Sequence, residues 1–290
     1  FMKVMFFSKN FEMANDAINK LESLFDEMDK NKLAHGDVSE MTSHDIEFAG
    51  VTFRYEEGVD VLTDFSLELE SGKKYALVGS SGSGKSTIAK LISGFYPVSS
   101  GELRIGGVDI SKYKRETLEH EIAFVFQNAK LFKTSIYENV KIGRPDASRE
   151  EVIKALDLAM CGSILDKFEA REDTIIGAKG VHLSGGETQR IAIARAILKD
   201  APIIILDEAS AASDPENEYE MQQAFSKLME GKTVIMIAHR LSSIRNVDEI
   251  LVVEDGKVTE RGAHDELMKK DSKYKKLHNL YNQANEWRLS

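Results

Sequence analysis

The stretch Gly79-Ser80-Ser81-Gly82-Ser83-Gly84-Lys85-Ser86-Thr87 constrains this chain more than any other. It follows the apolar run Tyr75-Ala76-Leu77-Val78 directly and leads into Ile88-Ala89-Lys90-Leu91-Ile92, whose apolar residues have helical spacing. A glycine-rich loop set between a strand and a helix is the context that a phosphate-binding loop demands. Its glycines let successive backbone N–H groups turn inward around phosphate oxygens, and the helix start adds a favourable field. Lys85 supplies a point charge to the β and γ phosphates, and Ser86 offers its hydroxyl to Mg2+.

Such a loop needs a metal acid and a base from elsewhere. Ile203-Ile204-Ile205-Leu206-Asp207-Glu208 brings two carboxylates to the end of an apolar strand, and successive side chains on a strand point to opposite faces. Asp207 is therefore expected to hold the Mg2+ shell and Glu208 to polarise the attacking water.

The strand patterns on either side fix the expected fold class. Ile46-Glu47-Phe48, Val51-Thr52-Phe53-Arg54-Tyr55 and Phe65-Ser66-Leu67-Glu68-Leu69 alternate apolar with polar, as half-buried antiparallel strands do. Tyr75 to Val78, Ile203 to Leu206 and Val234 to Ile237 are continuous apolar runs, the pattern of parallel strands covered on both faces. The expectation is an α/β, P-loop NTPase fold: a mostly parallel core sheet, an N-terminal antiparallel β layer and a helical lobe inserted at about 128–198. Glu150 to Met160 and Leu165 to Phe168 are expected to be helical, as is the charged tail from Asp265 to Trp287.

Composition removes several other classes. With 48 acidic and 38 basic residues and a formal net charge of -10, the chain is not expected to bind nucleic acid. Cys161 is the only cysteine, so no internal disulfide can form, which suits a reducing compartment. Apolar runs such as Ala201 to Leu206 fall far short of the roughly 20 residues of a spanning helix.

Leu183-Ser184-Gly185-Gly186-Glu187-Thr188-Gln189-Arg190, opening the helical run Ile191 to Ala196, resembles the signature segment of ATP-binding cassette (ABC) proteins. The resemblance runs from about Ile46 to the C-terminal helices, with the parts in the family's order. It implies an ATPase that uses ATP and Mg2+, with two cassettes pairing head to tail. Each ATP then lies between one subunit's Gly79 to Thr87 and the partner's Ser184, Gly185 and Gly186. Tyr55 matches the aromatic that stacks on adenine. Gln127 matches the glutamine that reaches Mg2+ and the attacking water, and His239 matches the switch histidine that contacts the γ phosphate. His35, His120 and His264 match no motif and are expected at the surface or in packing.

Gln127-Asn128-Ala129-Lys130-Leu131-Phe132 with Ile136-Tyr137-Glu138-Asn139 resembles the exporter-type branch of the family. That resemblance implies a fused half-transporter, with a membrane domain upstream and this domain at the cytoplasmic face of the membrane. Phe11, Ala14, Ile18, Leu21 and Phe25 recur at helical spacing, so residues 1–44 are expected to be a connector helix and a linker, and residues 45–290 the ABC domain. Three positions depart from the pattern: Glu187 replaces the commoner glutamine, Ala178 stands where glutamate is frequent, and Ala211 cannot offer a serine hydroxyl across the dimer. The second cassette is accordingly either a copy of this chain or an unlike one. The cargo is left open, because membrane helices would recognise it.

Overall fold

A computed structural model describes residues 33–56, 58–177, 180–208, 215–238 and 244–289. The expected connector helix at Phe11 to Met28, His239, Ala178 and Ala211 lie outside the described residues.

Period-two alternation builds the first sheet. β1 (Ile46–Arg54) and β2 (Asp60–Leu69) pair antiparallel. They bury Ile46, Phe48, Val51, Phe53, Leu62, Phe65, Leu67 and Leu69 on one face and leave the intervening residues more exposed. β4 (Ser100–Ile105) adds to β1 and the short β5 (Val108–Asp109) adds to β4, giving the order β2-β1-β4-β5.

The second sheet has the order β10-β9-β3-β8-β7-β6. Its strands are β3 (Lys74–Val78), β6 (Ile122–Val125), β7 (Ile203–Glu208), β8 (Thr233–Ala238), β9 (Glu249–Glu254) and β10 (Lys257–Gly262). All neighbours are parallel except β10, which runs antiparallel at the edge. Both faces are covered, which is why the strands read as unbroken apolar runs. Tyr75, Leu77, Ile205, Ile237 and Val253 face the antiparallel layer and helix α1 (Lys85–Ile92). Ile204, Leu206, Val234 and Met236 face the other way, toward the helical lobe. Ala76, Val78, Ile250 and Val252 meet Leu267 and Tyr274 of the C-terminal helices. Between β5 and β6 lies α2 (Arg115–Glu121).

The lobe contains α3 (Ile136–Lys141), α4 (Arg149–Leu158), α5 (Gly162–Leu165) and α6 (Gly185–Lys199). Serine caps start three of them. Ser135 accepts from Glu138 N, while Ser148 with Glu151 and Ser184 with Glu187 form reciprocal capping boxes. The expected helix at Leu165 to Phe168 is displaced: α5 ends at Leu165, and Phe168 follows in a turn whose N–H reaches Leu165 O. After β7 comes α7 (Pro215–Leu228), and the tail is two helices, α8 (His264–Lys269) and α9 (Lys273–Leu289).

Residues 33–44 carry no helix, yet they are tied down. Leu33 joins the core, Gly36 N donates to Tyr113 O at 3.1 Å, and Val38 N donates to Lys112 O at 3.0 Å.

Candidate nucleotide-binding site

The phosphate loop spans from the end of β3 to the start of α1, and its shape depends on glycine at two points. Gly79 has φ +149°, and an added Cβ would stand 2.1 Å from Val253 O of β9. Gly84, the residue that caps α1, has φ +105°. Between them Ser83 N donates to Ser80 O at 3.3 Å, and Gly256 N donates to Ser83 O at 3.0 Å, which ties the loop to the β9–β10 turn.

Lys85 folds back into the loop it follows. Its Nζ donates to Gly79 O at 3.0 Å, Ser80 O at 2.6 Å and Ser83 Oγ at 3.2 Å, and the residue is 6% exposed. All three acceptors are neutral. Burial therefore pushes the ammonium below its ordinary pKa, partly opposed by the charge of Asp207. A buried cation ringed by carbonyl dipoles is favourable ground for an incoming anion. Ser86 is exposed at the first turn of α1, and Thr87 Oγ1 lies 3.1 Å from the Tyr55 hydroxyl.

Tyr55 is 40% exposed and stands edge-on to Phe53 and Tyr96, with ring centroids at 4.8 and 5.3 Å. Its hydroxyl thus joins the end of the antiparallel layer to the phosphate loop. The main chain of Asp207 and Glu208 ends β7, paired with Ile237 and Ala238 of β8. The Oδ1 atom of Asp207 is buried, and its charge is felt at Lys85. The side chain of Glu208 is outside the described atoms, and β8 stops one residue before His239.

Gln127 follows β6 and lines a cavity of about 860 Å³ that Asp207 also lines. The same walls include Phe124, Phe126, Arg195 and Lys199. The Arg195 Nε donates to Asn139 O at 2.8 Å and the Lys199 Nζ to Ile122 O at 2.7 Å; burial lowers the pKa of both. Sequence reasoning missed these two cations. The available signal was their spacing, which puts them one turn apart on α6.

The signature residues open α6. Ser184 is its N-cap, and an added Cβ at Gly185 or Gly186 would meet nothing within 4 Å, so this helix start is open. The Ser184 hydroxyl and N–H are both engaged with Glu187 of the same turn.

Parallel strands that deliver a glycine-rich loop and a partly buried carboxylate to one sheet define a P-loop NTPase fold. A family model described as ABC transporter matches residues 62–211, about half of the chain. The chain belongs to the ABC transporter family, as an ATP-binding domain of the exporter type in a family of ATPases. It is 47% identical over 237 residues to an ATP-dependent lipid A-core flippase of Pasteurella multocida (strain Pm70), covering 81% of this chain and 41% of the relative. The ATP-dependent lipid A-core flippase of Escherichia coli (strain K12) is 44% identical over 245 residues, with 84% and 42% covered. Among solved structures, a bacterial Atm1-family ABC exporter with ATP bound has a TM-score of 0.79 at 34% identity, covering 90% of this chain and 46% of that one. The chain thus spans about two fifths of the length of these flippases. Among the described residues, no helix is long and apolar enough to cross a membrane.

Proposed function

We propose that this chain is the motor domain of an exporter-type membrane transporter, which binds and hydrolyses ATP between two paired cassettes at the cytoplasmic face of the membrane. The membrane domain is read as fused upstream, and the second cassette is either another copy or an unlike one. The single observation that carries this reading is the Lys85 ammonium, held by three neutral oxygens inside a loop that ends a parallel strand.

In this reading the backbone from Gly79 to Gly84, with Lys85 and Thr87, holds the phosphates, and Tyr55 stacks on the adenine. Ser86, Asp207 and Gln127 offer the oxygen donors that suit Mg2+, a hard cation that spreads phosphate charge when bound. Glu208 orients water for in-line attack on the γ phosphate and His239 fixes the geometry. Ser184, Gly185 and Gly186 of the opposite cassette close over the same phosphate. ATP binding then favours the closed pair, and product release reopens it. Phe95, Phe126 and Phe132, all exposed near Gln127, supply an apolar surface through which the motion can reach a membrane domain.

The test compares the wild type with Glu208→Gln in ATP binding, steady-state hydrolysis and solution mass with Mg-ATP. The expected variant binds ATP, turns over at least about a hundredfold more slowly, and shifts to the mass of a pair. Hydrolysis near the wild-type rate would refute the role of Glu208.

A further inference from the structure

Glu187 is an acid in the first turn of the signature helix, and the proposed reaction leaves it unused. It is 7% exposed. One carboxylate oxygen, Oε2, accepts from Ser184 N at 2.7 Å, and Ser184 Oγ in turn accepts from Glu187 N at 3.3 Å. The other oxygen, Oε1, accepts from Lys167 Nζ at 2.5 Å. Lys167 belongs to the turn after α5. Its N–H donates to Ile164 O at 3.3 Å, and the next residue, Phe168, packs against the helical core, so the start of this side chain is anchored.

A capping box needs only an acceptor at its third helical position, and glutamine serves as well as glutamate. Glutamate adds a charge. If Ser184, Gly185 and Gly186 receive a γ phosphate, that charge stands within the same helical turn as the incoming anion. Two like unit charges about one turn apart weaken association by about fourfold in bulk water and by about a hundredfold or more at the lower effective dielectric of a protein surface, so roughly tenfold at a helix start as open as this one. The helix start itself favours anions by less than this. An unpaired Glu187 would therefore oppose the binding that this segment is read to provide.

We infer that Lys167 is a positioning residue for ATP: by pairing with Glu187 it cancels the acid's charge and leaves the signature helix start able to receive the γ phosphate held by a second cassette. This rests on the nucleotide sandwich proposed above. Lys167 acts through Glu187 and is not expected to touch the nucleotide. The ion pair also couples the α5 turn to the signature, so the helical lobe and the phosphate contact form one unit.

The experiment measures steady-state ATP hydrolysis by the complete gene product, assembled with whichever cassette it pairs with. Four variants are compared: Lys167→Met, Lys167→Arg, Glu187→Gln and the double variant Lys167→Met/Glu187→Gln. Lys167→Met is expected to raise KM for ATP about tenfold while kcat stays within about twofold. Lys167→Arg restores KM. In the Glu187→Gln background Lys167→Met raises KM by clearly less than about tenfold, because only the lysine's own, more distant charge is then lost. An unchanged KM in Lys167→Met, a loss confined to kcat, or an equal rise in both backgrounds would overturn the inference, the last by assigning Lys167 a purely structural role. The sandwich reading fails separately, if the wild-type assembly does not hydrolyse ATP or if Gly186→Asp leaves hydrolysis intact.

Discussion

Replacing Gly79 by alanine tests how the phosphate loop is held, and Gly82→Ala is its internal control. Both glycines have positive φ, +149° and +80°, so each alanine carries backbone strain. Their surroundings differ. At Gly82 an added Cβ meets nothing within 4 Å, whereas at Gly79 it would stand 2.1 Å from Val253 O and 3.2 Å from the Val253 carbonyl carbon. Val253 cannot yield easily, because β9 is paired with β3 on one side and β10 on the other. Gly82→Ala should therefore cost about 1–2 kcal/mol, the strain of the left-handed region alone. Gly79→Ala adds overpacking against a fixed strand, about 1–3 kcal/mol more. The larger cost at Gly79 then combines the close approach to Val253 with the strain of its own φ of +149°. Urea unfolding of the 290-residue chain, followed by far-ultraviolet circular dichroism, reads both values from the midpoints. Equal midpoints for the two alanine variants would refute the argument that β9 limits the loop.

Two further outcomes follow from particular contacts. Tyr55→Phe loses the 3.1 Å contact with Thr87 but keeps the ring, so it should retain ATP affinity within about twofold, while Tyr55→Ala should weaken it about 5- to 10-fold in a fluorescent-nucleotide titration. Arg190 is 2% exposed and holds Met160 O and Asn217 Oδ1, each at 2.9 Å, together with Glu220. Arg190→Ala should lower stability by about 3–5 kcal/mol in the same urea assay. Arg190→Lys should fail to restore it, because one ammonium cannot span these partners.

The parallel core was legible because burial on both faces leaves a local trace. Tyr75 to Val78, Ile203 to Leu206 and Val234 to Ile237 are unbroken apolar runs and became β3, β7 and β8. Their neighbours were harder to read. β6 is only four residues long, and Ile250 to Val253 lies between acids with no motif beside it. That β9 lies next to β3 is set by the crossover order of the sheet, which no local pattern encodes. A displaced helix has the same kind of cause: Phe168 looked like the end of a helical turn, but it is a turn residue packed on the lobe core. At the site, Glu187 stood out as a departure from the signature. Its partner Lys167, twenty positions away, is seen only in three dimensions.

The positions of the two helix starts assigned to phosphate also favour the proposed second cassette. α1 buries Ile88 and Leu91 against the antiparallel layer, with Tyr75 and Leu77 on that face of the sheet. α6 buries Ile191 and Ile193 against the opposite face, with Ile204 and Leu206. Helices on opposite faces of one sheet are separated by two packing layers, on the order of 20 Å. A single γ phosphate is far smaller than that gap, so the phosphate loop and the signature of one chain are poorly placed to grip the same group. In the proposed function each helix start receives an anion, and head-to-tail pairing would let both be used on one nucleotide. On that proposal ATP would act as the contact between two molecules, and its hydrolysis would remove the phosphate that bridges them.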